Sequence, residues 1–249
     1  MMYALWLALG LLGACASTGV FGGNKMTSDP YLYMEDVEGE KALRFARGEN
    51  EKTLAILKAD PRFKSIESEL RTIMLAKDRL PSVSLDEGWL YNFWQDAEHV
   101  RGLWRRTRPD SFLREKPDWR ILIDVDALAK SENENWVFHG ANCLPKSERC
   151  LVRLSRGGKD AAVVREFDIG KLQFVTDGFQ LPEAKSRVSW IDRDTVFVGT
   201  DFGPGTMTPS GYPTISKIWK RGQPLSEAKE IIRAEPKDVS AGGYASIRE

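Results

Sequence analysis

Apolar and polar positions recur with two different periods along the chain, and the change of period divides it. Between Asp29-Pro30 and Asp60-Pro61, Ala42, Leu43, Phe45 and Ala46, then Leu54, Ile56 and Leu57, fall among Glu, Lys and Arg at a spacing near 3.6, which predicts an amphipathic helix. A second helix is predicted over 63–77, where Ile66, Leu70, Ile73 and Met74 stand at i, i+4, i+7 and i+8 and form one stripe. Leu80-Pro81 ends the helical part. Beyond it the period becomes two, and bursts of β-branched and aromatic residues at 89–94, 100–107, 119–124, 135–140, 150–155, 162–168, 187–191, 195–200, 215–221 and 230–233 predict ten short strands. Connections such as 95–99, 156–160 and 192–194 are hairpin-sized, so strands adjacent in sequence are expected to pair antiparallel. The Trp136 and Ser189-Trp190 bursts lie about fifty residues apart and each opens a group of about four strands, the length of a four-stranded propeller blade. A sandwich or barrel is the alternative, because no tight blade signature repeats.

The first segment reads as an address. No charged residue occurs from Met1 to Asn24, and Tyr3 to Leu12 is an apolar run of signal-peptide length followed by small residues. Leu12-Gly13-Ala14-Cys15 resembles the bacterial lipobox, which would make Cys15 the lipidated N-terminus of a mature chain, exported and then periplasmic or anchored in the outer membrane. Met1-Met2 brings no Lys or Arg, so a plain cleaved signal, an uncleaved membrane helix and a core helix stay open. Residues 1–23 are accordingly set apart from a helical arm over 24–80 and a β region over 81–249.

Composition narrows the function classes. The 249 residues carry 36 basic and 36 acidic side chains in mixed order, without the one-signed patch that nucleic-acid phosphates demand. Eight Trp and eleven Phe favour packed aromatic layers and a sizeable core. Cys143 and Cys150 bracket a turn-rich polar stretch between two strand-like runs. In an oxidising compartment they can pair; two unpaired buried thiols are the alternative. Only His99 and His139 are available as imidazole ligands, and no Cys-x-x-Cys or His-x-x-x-His spacing occurs, so neither metal nor cofactor is expected.

A direct search for catalytic chemistry returns nothing. Acyl transfer from a strained strand-to-helix turn needs Gly-x-Ser-x-Gly, and no such pentapeptide occurs. Ser155 and Ser210 read as hairpin and loop residues, and His99 and His139 as structural. Asp201-Phe202-Gly203 spells a kinase triplet without the catalytic loop or strand lysine that would give it a role, and Gly158-Lys159 lacks the glycine a P-loop requires. The carboxylates Glu35, Asp36, Glu132 and Glu134 read as solvated faces or helix caps.

Asp29-Pro30-Tyr31-Leu32-Tyr33-Met34-Glu35-Asp36, the charged helix ending near Asn50-Glu51-Lys52-Thr53, the aromatic strand Trp89-Leu90-Tyr91-Asn92-Phe93-Trp94-Gln95, and Ile123-Asp124-Val125-Asp126-Ala127-Leu128 together resemble the N-terminal region of prolyl oligopeptidase family serine peptidases. That family commonly has Trp where Tyr33 stands. The resemblance implies a helical arm and a seven-bladed β-propeller covering an α/β-hydrolase domain whose Ser, Asp and His lie mostly beyond the propeller. Seven blades do not fit in this length. The strands are expected to make a first blade to about Asp126, a second through Phe174, a third through Ala234 and the opening of a fourth at 244–249, an incomplete propeller without its catalytic domain. By the same resemblance, the loop from Asp201 to Pro213 is expected to help shape a substrate chamber for short peptides, with Phe202, Met207 and Tyr212 as packing residues. A non-catalytic, lipid-anchored β-protein that binds peptide is the rival reading.

Overall fold

The computed structural model describes residues 29–36, 38–76, 78–235 and 238–245. The expected signal and Cys15 lie outside them. Two compact units divide between Leu70 and Arg71, earlier than the boundary expected at 80/81. In the first, Asp29 accepts the Tyr31 N–H at 2.8 Å and opens a short 3-10 turn, Leu32–Met34. The turn sets Tyr31 and Tyr33 edge-on to Phe45 of helix α1 (Glu40–Ala59), each with centroids 6.4 Å apart, and Lys41 caps the Tyr33 ring at 4.0 Å. Aromatic faces bind cations electrostatically, so the charged helix is tied to the tyrosine-rich turn before it. Asp60-Pro61 ends α1, and helix α2 follows at Phe63–Met74, three residues shorter than its periodicity predicts.

The second unit is mainly β. Its thirteen described strands make three antiparallel sheets. Sheet 1 contains β1 (Ser84–Asp86), β2 (Trp89–Trp94), β3 (Leu103–Thr107) and β4 (Arg120–Asp124) in sequence order. Sheet 2 contains β5 (Trp136–Cys143), β6 (Arg149–Arg156) and β7 (Ala162–Asp168), whose outer edge is shared by β8 (Gln173–Phe174) and β9 (Gln180–Ala184). Sheet 3 runs β10 (Arg187–Asp192), β11 (Thr195–Gly199), β12 (Ile215–Lys220) and β13 (Lys229–Arg233). All ten expected strands occur. β1, β8 and β9 are additional, and they are short, polar edge segments with little period-two signal. β9 carries the second sheet to Ala184, past its expected end at Phe174, and no strand is described over 238–245.

Two short helices also went unread. Helix α3 spans Pro109–Phe112, and α4 spans Val125–Glu132, where the Asp124 carboxylate accepts the Ala127 N–H at 2.9 Å and Asn133 ends the helix in the left-handed region. That is an ordinary Asp N-cap. It was hidden because the same residues were read as part of a longer motif.

β6 shows how the sheets stack. Its side chains alternate: Cys150, Val152 and Leu154 enter the core shared with Trp104, Leu122 and Ile123 of sheet 1, while Leu151 enters the core shared with Trp190, Val196 and Val198 of sheet 3. Sheet 2 is thus buried on both faces, and each fully buried aliphatic side chain stabilises by roughly 1.5–3 kcal/mol. Arginines fasten the sheets at their margins. Arg101 donates to the Asn135 side chain and the Trp136 carbonyl at 2.7 and 3.0 Å, Arg106 to Glu148 at 3.1 Å, and Arg120 to the Ile169 and Gly170 carbonyls at 3.1 and 3.0 Å.

Candidate functional site

The first strand of each sheet borders an open cavity. Between sheets 2 and 3, a cavity of about 730 Å³ is walled by His139 to Asn142 of β5 and Arg187 to Ser189 of β10. Between sheets 1 and 2, one of about 380 Å³ is walled by Ser84 and Asp86 of β1 and by Gly140, Ala141 and Cys143 of β5. Both share Gly140 and Ala141. The smaller is aromatic, with the Phe93 and Phe138 rings stacked at 4.8 Å and Trp104 5.7 Å from Phe138.

Local backbone chemistry shapes the shared wall. The β5–β6 register slips between Phe138 and Ala141, leaving His139 and Gly140 as a bulge opposite Arg153. Gly140 has φ 101° and would have open space around an added Cβ. A bulge of this kind bends the strand and redirects its side chains. The glycine is required by the backbone angle and not by crowding.

The larger cavity has more basic than acidic side chains in its lining. Arg153 of β6, Lys185 and Arg187 contribute three cations against the single carboxylate of Asp160, which lies 3.7 Å from Lys185. Lys185 also donates to the Ser210 carbonyl at 3.0 Å and stands 4.6 Å over the Tyr212 ring. The stretch 241–245 closes one side: Ala241 N–H donates to the Pro213 carbonyl at 3.2 Å and Ala245 N–H to Ser189 Oγ at 2.9 Å.

The residues singled out by sequence fall in different places. Ser155 and His139, each set aside alone, are hydrogen-bonded, Oγ to Nε2 at 2.9 Å. The pair does not make a nucleophile: Ser155 is fully buried within β6, opposite Val137, and no carboxylate is bonded to His139 among the described residues. Acyl transfer needs an exposed hydroxyl and an oriented base. His99 is in the β2–β3 loop, its Nδ1 3.0 Å from Asp96. Burial raises the Asp96 carboxyl pKa, but hydrogen bonds from the His99 and Glu98 amides, Trp94 Nε1 and the His99 ring outweigh it and hold the group well below the ordinary carboxylate range. Cys143 and Cys150 face one another across β5 and β6 and are joined by a disulfide. Of the loop residues, only Tyr212 lines the cavity. Phe202 packs against the core of sheet 3 with Lys217 at 4.3 Å over its ring, and Met207 bridges to Pro213.

Two acidic residues correct the sequence reading. Glu132 accepts Trp136 Nε1 at 2.8 Å and Arg165 at 2.9 Å while staying exposed, and the half-buried Glu134 accepts Arg156 at 2.8 Å, so both are ion-pair partners as well as surface residues. Hydrogen bonds to Glu134 and Glu183 raise the Arg156 pKa above its ordinary value. Arg153, Lys185 and Arg187 were not foreseen. The one signal in sequence was a lone charge at the centre of the apolar β6 run.

Successive antiparallel meanders that each present their first strand to a cavity define the class: a β-propeller domain. The family model described as the prolyl oligopeptidase N-terminal β-propeller domain matches residues 19–247, and the chain belongs to that family. An uncharacterized peptidase of Sinorhizobium fredii is 48% identical over 220 residues, covering 88% of this chain and 30% of the relative. One of Rickettsia prowazekii is 33% identical over 215 residues, again covering 30% of its length. Among solved structures, a post-proline cleaving enzyme from Rickettsia typhi is similar at 34% identity and a TM-score of 0.75, over 82% of this chain and 31% of that one. The chain therefore spans about 30% of the relatives it matches, corresponding to their N-terminal region.

Proposed function

We propose that this chain is the substrate-screening portion of an exported serine endopeptidase that cleaves short peptides, and that its three sheets are three blades of a seven-bladed ring. The acylating Ser, Asp and His belong to the part of the relatives that this chain does not span. The observation that carries the reading is a continuous wall: β1, β5 and β10 open successive sheets, with β5 bordering both adjoining cavities, β1 the smaller and β10 the larger. Such a wall screens by size, because a folded protein cannot enter a passage that admits an extended peptide. In the only Ser–His hydrogen bond among the described residues the serine is fully buried, which supports placing the nucleophile elsewhere. Export, with Cys15 as the lipid anchor, is supported by the uncharged leader and by the Cys143–Cys150 disulfide, since such bonds persist in oxidising compartments.

The test reads the gene beyond codon 249 and assays its whole product. Hydrolysis of short peptides with a folded protein left intact, together with a Gly-x-Ser-x-Gly elbow downstream, is the expected result. A stop codon at 250 with a stable, peptide-binding monomer would favour the lipid-anchored binder instead.

A further inference from the structure

We propose that the cavity between sheets 2 and 3 is an anion site that seats the carboxylate of a short peptide. Arg153 is half-buried at the centre of β6, between the buried Val152 and Leu154, and neither the Arg153 nor the Arg187 side chain makes a hydrogen bond or ion pair among the described residues. Both arginines keep access to solvent, so an entering anion meets two cations that no protein carboxylate already engages. The bulge at His139 and Gly140 opens the ladder in front of Arg153, and the absence of a side chain at Gly140 keeps that opening clear. Arg187, from the opposite sheet, lines the same cavity as Arg153. Planar forks match carboxylate oxygens two at a time. Asp160 offsets one positive charge and lies 3.7 Å from Lys185.

The cavity's size and lining favour a peptide over a small inorganic ion. About 730 Å³ exceeds by far the roughly 30 Å³ that a water-sized species occupies. Ala141, Val188, Tyr212 and Tyr244 supply apolar and aromatic wall beside the cations, suited to the side chains next to a carboxylate.

This inference rests on the peptide-handling reading above, but its test measures binding alone. Acetyl-trialanine with a free carboxylate, its C-terminal amide, and acetyl-Ala-Glu-Ala-amide are titrated calorimetrically into the 249-residue chain, with inorganic phosphate as a fourth probe. At least one carboxylate peptide is expected to bind about tenfold or more tightly than the uncharged amide, and to weaken as salt is raised. Binding of the free acid alone assigns the C-terminus, and binding of the Glu peptide alone assigns an acidic side chain. R153Q and R187Q should each weaken the carboxylate peptide about tenfold, while R108Q, whose guanidinium stacks on Trp89 away from the cavity, should leave it unchanged. Arg187 is exposed, so R187Q preserves the test if R153Q does not fold. Failure of both carboxylate peptides to bind more tightly than the uncharged amide, parental affinity in R187Q, phosphate binding without peptide binding, or no binding would each overturn the proposal. Such a failure leaves peptide cleavage by the whole product unaffected, and lost cleavage with intact carboxylate binding would sink the functional reading alone.

Discussion

Arg221, which follows the third strand of sheet 3, closes on the fully buried carboxylate of Glu166 in sheet 2, its two terminal nitrogens 2.8 and 3.1 Å from the two oxygens. The same carboxylate accepts the Phe179 N–H at 2.9 Å and lies 3.4 Å from Arg149. Burial lowers the Arg221 pKa, but the hydrogen bonds to Glu166 and Asp194 outweigh it and hold the guanidinium above its ordinary value. The pair joins residues 55 apart in sequence.

Removing one member of a buried pair leaves the other uncompensated. R221M should therefore destabilise the β unit by about 3 kcal/mol, and E166Q by less, since it leaves no buried anion behind. Urea unfolding followed by tryptophan fluorescence checks the order. Equal, negligible losses would show that the clamp contributes nothing.

The disulfide closes a short loop, with Cys143 and Cys150 only 7 residues apart. By loop-closure entropy it should contribute about 2.5 kcal/mol. Thermal unfolding of the C143S/C150S variant should fall accordingly, and reductant should lower the parent to the same midpoint without abolishing the fold.

Gly102 and Gly140 share φ 101° but differ in surroundings. An added Cβ at Gly102 would run into the Phe93 ring and meet Gln95 Cγ at 2.9 Å, whereas at Gly140 it would meet nothing within 4 Å. G140A should cost about 1 kcal/mol, from the backbone angle alone. G102A should cost appreciably more. Paired unfolding curves test the difference.

Asp96 links stability to pH. Its folded-state pKa lies below the ordinary 3.8, so its stabilisation is complete above about pH 4 and is lost as pH falls through 3.8 towards the folded value. D96N should lower stability at neutral pH by about 1–2 kcal/mol through weakened bonds to the 96–99 turn, and flatten the acid limb of the stability curve. An unchanged acid limb would remove Asp96 as its source.

The Ser155–His139 bond is structural. A fluorophosphonate should not label this chain, and S155A should cost about 1 kcal/mol of stability without altering peptide cleavage by the whole product. Labelling at Ser155 would overturn the assignment.

Local patterning determined much of this protein. Period 3.6 located α1 and α2, period two located ten strands, and short Gly- and Asp-rich connections set their antiparallel order, because these depend on neighbours within one or two turns of chain. The aromatic turn before α1 and the hairpin that carries Cys143 and Cys150 were equally local. The edge strands at 84–86, 173–174 and 180–184 escaped because they are short, the first exposed throughout and the last interrupted by Pro182. The cavity was decided only by the tertiary structure. One face of β6 carries Cys150, Val152 and Leu154 and the other Arg149, Leu151, Arg153 and Ser155, and this alternation does not say which face meets sheet 1 and which meets sheet 3. The pairing of β5 with β6 brings His139 to Ser155, but stacking alone settles that assignment and brings Arg153 to the same cavity as Arg187 and Arg221 to Glu166. These meetings depend on how whole sheets pack, and no short window of sequence contains that information.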